Sequence, residues 1–362
     1  MKIAIILPTL QGGGAEKSLI NLGEFIVKNY PEFDIDFILY KDIRDYDTIL
    51  DVIFILNKNE KVSKNLLKFF NRLYKILKNY DIIIGGLELE PSYLSIIFSK
   101  ILKKKSISMH HNLENKLIGN LENKLIGNKF FYHFLNFILL RFANFNICVS
   151  NEVRELIIKL YKIPSNRCIC IYNPIDIEKI RILANEPIEE IYRSIFSEKT
   201  LCFIARLQEY KGLKKVISAL KHLENYHLLV MGKGNFESYY EYAKNLNVEN
   251  RVFYIGFKKN PYKYIKNSFA LVLPSEFEGF GMVFYESMAL GIPIVGSGIR
   301  ETFGNNNEYG IYANSVNEIV NAIRILENDE IYNYYKQAGL KRIENFKIDK
   351  IAKEYIDVFK AC

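Results

Sequence analysis

The 362-residue sequence has no tryptophan, only 5 cysteines and only 9 prolines. It contains no run approaching the roughly 18 uncharged apolar residues that a membrane-spanning helix needs, so an integral helical membrane protein is not expected. The cysteines (Cys148, Cys168, Cys170, Cys202 and Cys362) show neither a paired disulfide framework nor a CxxC metal spacing. A secreted disulfide scaffold and a structural zinc site are both disfavoured, and a reducing cytoplasm is the expected setting. The opening Met1–Pro8 is too short for a signal-peptide core and has no small-residue cleavage site. It reads as a first buried strand.

What is present is globular in character. Hydrophobic residues make up 49% and charged residues 25%, and the length suits two domains of ordinary size. The net charge is +8, and it is uneven: residues 1–170 hold 24 of the 49 basic but only 17 of the 41 acidic residues. Residues 52–110 alone hold 11 basic and 4 acidic ones. A local basic excess points to an anionic surface near the N-terminal half, either lipid or nucleic acid.

Short apolar runs alternate with amphipathic helical stretches. Strands are expected at 2–7, 36–39, 52–56, 82–84, 106–109, 146–149 and 168–171, then at 201–204, 227–230, 252–255, 270–273 and 294–295. This βαβ alternation predicts an α/β chain with two doubly wound parallel sheets. Asn173-Pro174 marks the break, since proline cannot donate to a ladder. The expected domains are 1–173, 174–345 and a C-terminal helix, 346–362, packing back toward the first. Ligands of open parallel sheets sit beyond the carboxyl ends of the strands, so the expected site is an interdomain cleft.

Three strand-to-helix loops carry possible chemistry. Gly12-Gly13-Gly14 follows the first strand, and its backbone amides suit either a phosphate at a helix N-terminus or a tight turn. The loop is neither GxGxxG nor a P-loop, which disfavours a nicotinamide cofactor and a P-loop nucleotidase. Arg206 and Lys211 form the second group: two cations at a strand edge fit a diphosphate, or are solvated surface charges. The third and most informative segment runs from Leu273 to Pro293, with Glu278 in a glycine-flanked loop, a helix expected from about Gly281, and Glu286 on that helix. Amides around Met282 and Val283 suit a phosphate. The two carboxylates are eight residues apart across a glycine break, unlike the facing pair of a retaining glycosidase, and each suits the hydroxyls of a different sugar.

With those residues in place the segment EGFGMVFYESMALGIP, with Glu278-x7-Glu286, resembles the signature of the family 4 retaining glycosyltransferases. Arg206 and Lys211 match that family's RLxxxKG stretch, Gly12–Glu16 its GGGAE loop, and Ile171–Pro174 its interdomain segment. Met231-Gly232-Lys233-Gly234 stands where the family has a GDG turn, and Lys233 departs from it. The resemblance implies a GT-B fold with two Rossmann-like domains. It implies a nucleotide-diphosphate sugar as donor, most readily a UDP-sugar, bound mainly by the C-terminal domain and without a catalytic metal or other cofactor. The donor-binding set would be Gly13, Gly14, Phe280, Gly281, Met282, Val283 and Glu286, and the catalytic set His110, Arg206, Lys211 and Glu278. The family has a histidine after a mid-domain strand. His110 is preferred here because His110-x-Asn112 forms an H-x-N arrangement, with His111 as the alternative. Same-face attack would leave the departing phosphate to accept the acceptor's proton.

Lys61, Lys64, Lys68, Arg72, Lys75 and Lys78 recur every three or four residues and predict one basic stripe on an amphipathic helix. It is either the wet side of an outer helix or a membrane-facing surface for anionic lipid, to which Lys103–Lys105 and the aromatics of 130–142 could add. Nucleic acid is not expected, because no recognition motif accompanies the charge. Asp34-Ile35-Asp36 and Asp45-Tyr46-Asp47 mimic a DxD metal motif but are read as solvated edges. NLENKLIG at 112–119 repeats at 120–127 and is read as a tolerated insertion or an altered acceptor loop. The expectation is therefore a retaining glycosyltransferase, peripheral on the cytoplasmic membrane face, with a lipid-linked or envelope glycan as acceptor. Its rivals are an epimerase or phosphorylase of similar fold and a non-catalytic membrane scaffold.

Overall fold

The computed structural model describes residues 1–11, 13–112 and 129–362, with backbone only at 129 and 130. Apart from Asn112, the NLENKLIG duplication lies outside the described residues, as does Gly12. The chain divides into two compact units, residues 1–174 with 348–362 and residues 175–347.

In the first unit seven strands form one parallel sheet ordered β3-β2-β1-β4-β5-β6-β7. They are β1 (Lys2–Leu7), β2 (Asp34–Lys41), β3 (Val52–Leu56), β4 (Ile82–Gly85), β5 (Lys105–His110), β6 (Phe145–Cys148) and β7 (Cys168–Cys170). The helices are α1 (Gly14–Asn29), α2 (Leu66–Leu77), α3 (Glu90–Leu102), α4 (Lys129–Leu139) and α5 (Asn151–Tyr161). Period-two alternation sorts β1 between two cores. Ile3, Ile5 and Leu7 face the layer that includes Leu19 and Ile26 of α1. Ala4 and Ile6 face Phe69 and Leu73 of α2. Tyr355 and Phe359, from residues 348–361, belong to the α1 side of this core.

The second unit is a six-stranded parallel sheet ordered β10-β9-β8-β11-β12-β13. Its strands are β8 (Lys199–Ile204), β9 (Tyr226–Met231), β10 (Val252–Tyr254), β11 (Ala270–Pro274), β12 (Ile294–Ser297) and the unforeseen two-residue β13 (Ile311–Tyr312). Its helices are α6 (Ile177–Leu183), α7 (Leu213–Ala219), α8 (Glu237–Asn245), α9 (Tyr262–Lys266), α10 (Met282–Ala289), α11 (Arg300–Phe303), α12 (Val316–Ile325) and α13 (Asp329–Ile343); α14 (Ile348–Ala361) returns to the first unit. The expected class, two doubly wound parallel sheets, is what the structure has. In each sheet the order reverses at one place, between β1 and β4 and between β8 and β11. Loops there leave in opposite directions and open a crevice at the carboxyl edge.

Two surface readings are corrected. The basic stripe is not one helix: Asn65 separates a 3-10 turn, Val62–Lys64, from α2. Only Lys68, Arg72 and Lys75 lie on α2, with Lys61 before the turn, Lys64 ending it and Lys78 capping α2. Lys68 also forms an ion pair with Glu60. Of Asp34 and Asp36, read as a solvated edge, Asp34 is exposed and Asp36 is not. Asp36 is buried and accepts a hydrogen bond from the Tyr80 hydroxyl at 2.6 Å, and burial raises its carboxyl above the usual range. Among the described residues no helix is long and apolar enough to cross a membrane.

Candidate functional site

In the second unit two loops are pinned together at the carboxyl edge. Tyr210, after β8, stacks on Phe277, after β11, with ring centroids 4.5 Å apart, and the Glu276 amide donates to the Tyr210 carbonyl at 2.8 Å. Gly212, at φ 79°, lets the first loop pass against β11, since a Cβ there would lie 2.4 Å from the Pro274 carbonyl oxygen. This packing brings Lys211 and Glu278 into contact: Lys211 Nζ donates to Glu278 Oε1 at 2.7 Å, and Ser275 Oγ donates to the same oxygen at 2.7 Å. Both charged side chains are largely buried. Arg206, just beyond β8, is exposed. Leu207 donates to the carbonyl of Lys233, which ties the Gly232–Gly234 turn to the Arg206 loop at 2.8 Å.

Gly281, at φ 74°, caps α10. The first amides of any helix lack intrahelical partners, so Met282 and Val283 present N–H groups at a positive helix end. Glu286, one turn on, is buried, and its Oε1 accepts from the Tyr262 hydroxyl of α9 at 2.9 Å. No motif announced Tyr262 or Ser275; Tyr262 sits 24 residues away on a separate element. Phe280 is different from the expectation. Its ring is buried, stacked on Tyr285 at 4.1 Å and edge-on to Phe346 at 5.7 Å, so that side chain packs the core and is not free to meet a donor.

In the first unit Gly13 is the N-cap of α1 and Gly14 its first residue. The Glu16 carboxylate folds back over this end, so close that a Cβ on Gly13 would lie 1.8 Å from Glu16 Oε2. The helix terminus already faces an anion of its own, and a diphosphate there would have to share it.

The two histidines separate cleanly. His110, the last residue of β5, is fully buried, with Nε2 3.1 Å from Asn146 Oδ1 and 3.3 Å from Ser108 Oγ. It is a hydrogen-bonded core residue, which corrects the preference for it. His111 lies one residue beyond the strand. It too is buried, but neither ring nitrogen has a hydrogen-bond partner among the described residues. Burial, and then the neighbouring His110, push its pKa down to about 4, against a backbone contact at Gly86 that raises it. Its imidazole is therefore neutral near pH 7. Orphaned buried nitrogens are uncommon in native folds, and here they lie at the carboxyl edge of a parallel sheet.

The same unit exposes apolar side chains beside its cations. On α2, Leu67 is 90% exposed, and Phe70 and Tyr74 are also open. Phe70 stacks on Phe98 of α3 at 6.2 Å, and α3 in turn exposes Ile97 and Ile101. On α4, Phe131 and Phe134 are each about half exposed, at 50% and 51%.

Comparison with known proteins follows the same division. Residues 12–179 match the family described as Glycosyltransferase Family 4, and residues 186–342 match Glycosyl transferases group 1. An uncharacterized glycosyltransferase of Methanocaldococcus jannaschii is 27% identical over 59% of the chain and 63% of its own length, so the alignment leaves over a third of that relative unmatched. The Campylobacter jejuni N-acetylgalactosamine-N,N'-diacetylbacillosaminyl-diphospho-undecaprenol 4-alpha-N-acetylgalactosaminyltransferase is 26% identical over 98% of both chains. Among solved structures, Anabaena HepE in complex with UDP and glucose superposes over the whole of both chains with a TM-score of 0.81 at 17% identity, a likeness of fold.

Proposed function

Because the chain belongs, through its two halves, to the family 4 and group 1 glycosyltransferases of GT-B fold, we propose that it transfers a hexose or N-acetylhexosamine from a UDP-sugar to a lipid-linked glycan acceptor, with retention and without a metal. The observation that carries this reading is the Lys211–Glu278 pair beside the N-terminus of α10. It sets a cation and amide dipoles where a diphosphate would depart, and a carboxylate where a sugar would offer hydroxyls.

In this reading Lys211 and Arg206 neutralise the leaving UDP, as preorganised charges that need no reorganisation when the bond breaks. The Met282 and Val283 amides add to them, which removes the need for a divalent cation. Glu286, held by Tyr262, takes the ribose hydroxyls, and Glu278 orients the transferred sugar. The neutral imidazole of His111 is a further sugar-contacting group, able to donate from one nitrogen and accept at the other. The departing phosphate takes the acceptor's proton as the new bond forms on the same face.

A lipid-linked acceptor is supported by the Campylobacter relative's diphospho-undecaprenol substrate and a UDP donor by the Anabaena neighbour's ligands. Peripheral attachment to the inner face of the cytoplasmic membrane fits the cations and apolar side chains of α2 and the exposed apolar side chains of α3 and α4. The deciding experiment is thermal stabilisation against a panel of nucleoside diphosphates and their sugars, followed by transfer to a polyprenyl-diphosphate glycan. Saturation at 100 Kd adds about 2.7 kcal/mol of stability. No stabilisation by any uridine ligand overturns the donor assignment.

A further inference from the structure

The loop after β4 carries a carboxylate that the mechanism above leaves unused. Glu88 is buried, and its Oε1 accepts the backbone N–H groups of both His111 and Asn112, the latter at 2.5 Å. Asn112 Nδ2 approaches the same oxygen at 3.5 Å. Charge-assisted bonds of this kind are short and strong. They fix the first two residues beyond β5 from a neighbouring loop more than 20 positions away in sequence.

The residue after Glu88, Leu89, is the N-cap of α3 and has no side-chain cap bond of its own. Its loop is itself held hard. Ser92 Oγ donates to the Leu87 carbonyl at 2.8 Å. Leu89, buried beside Tyr93 and packed by Tyr132, Leu135 and Leu139, sits at φ 61°, ψ −121°, a region where a branched side chain persists only when its surroundings over-determine it. So a strained, well-packed loop delivers one carboxylate oxygen to two amides.

His111 gives this arrangement its purpose. Neither ring nitrogen has a hydrogen-bond partner of good geometry among the described residues, so packing, the nearby Gly86 backbone and the residue's own backbone orient the ring. The anchor of that backbone is Glu88. We propose that Glu88 is a positioning residue for the transfer reaction, holding the His111 and Asn112 amides so that the His111 imidazole is aimed at the transferred sugar. The proposal rests on the reading of His111 as the sugar-contacting group.

The test is a double-mutant cycle on full-length protein, with transfer kinetics, UDP titration and amide exchange as readouts. Glu88→Ala should lower kcat at least tenfold and leave UDP affinity within twofold, because the proposed nucleotide contacts belong to the second unit. Glu88→Gln keeps an acceptor oxygen and should restore kcat to within about threefold. In a His111→Ala background Glu88→Ala should cost no more than a further twofold, as residues acting through one contact are not additive. Exchange of the His111 and Asn112 amides should accelerate in Glu88→Ala and not in Glu88→Gln. If Glu88→Ala does not fold, Glu88→Asp, one methylene shorter, takes its place. A wild-type protein that transfers from no nucleotide sugar sinks the functional reading. An active wild type whose Glu88 variants keep full kcat, or lose the same factor with and without His111, overturns the positioning role.

Discussion

Tyr262 donates its phenolic proton to Glu286 at 2.9 Å, with both side chains buried. A buried carboxylate held this way enters nucleotide binding already oriented. Tyr262→Phe should therefore weaken UDP binding about tenfold, the worth of one hydrogen bond to a charged group, while kcat changes little. Calorimetric titration with UDP checks it; an unchanged Kd removes Tyr262 from the nucleotide site.

Lys211 has two duties, partner to Glu278 and cation toward the leaving group. Lys211→Ala should lower kcat by about 100-fold or more, together with a fall in melting temperature from the unpaired Glu278 carboxylate. Loss of stability with kcat intact would leave Lys211 a structural ion-pair partner.

The two histidines should behave oppositely. His110→Ala removes a bonded core side chain and should unfold the protein at a lower temperature, whereas His111→Ala should fold and lose turnover. The depressed pKa of His111, about 4 when folded against 6.5, means that the unfolded chain binds the proton more tightly. The stabilising contribution is fully present above about pH 6.5 and is lost as pH falls toward 4. A His111→Asn variant should show a flatter denaturation profile across that window. The rate profile of the wild type should carry no His111 inflection between pH 5 and 8.

Membrane attachment should depend on α2 itself. Replacing Lys68, Arg72 and Lys75 by glutamine should reduce sedimentation with anionic vesicles and weaken its salt dependence. The same change at Lys61, Lys64 and Lys78, outside the helix, should do less. Phe131→Ser with Phe134→Ser should remove the binding that persists at high salt. Equal pelleting of all variants would return these helices to a plain solvated layer.

Transfer should survive excess EDTA if Lys211, Arg206 and the α10 amides supply the positive charge. Loss of activity restored only by Mn²⁺ or Mg²⁺ would overturn the metal-free reading.

Fold class was readable because parallel strands buried on both faces are short apolar runs, and twelve of them lay between helical stretches. The same property hid the histidines. A strand buried on both sides has no polar face to reveal parity, so nothing local said which of His110 and His111 points into the core. The basic stripe misled for another reason: cation spacing continued through Asn65 while the backbone did not. Asp36 looked solvated until Tyr80, 44 residues on, was seen to bond to it. Phe280 sits in a binding motif, yet its ring answers to Tyr285 and Phe346. Tyr262 and Glu88 act through contacts between elements that carry no shared pattern.

The first unit's core contains Tyr355 and Phe359 of α14 alongside Ile3 and Ile5 of β1. During synthesis, then, the half of the chain that emerges first cannot be the half that finishes first. Residues 175–347 hold all six strands of their own sheet and can close without α14. The earlier residues keep an uncovered apolar face until α14 docks. A released chain ending at residue 347 should have a second unit resistant to protease and a first unit open to it.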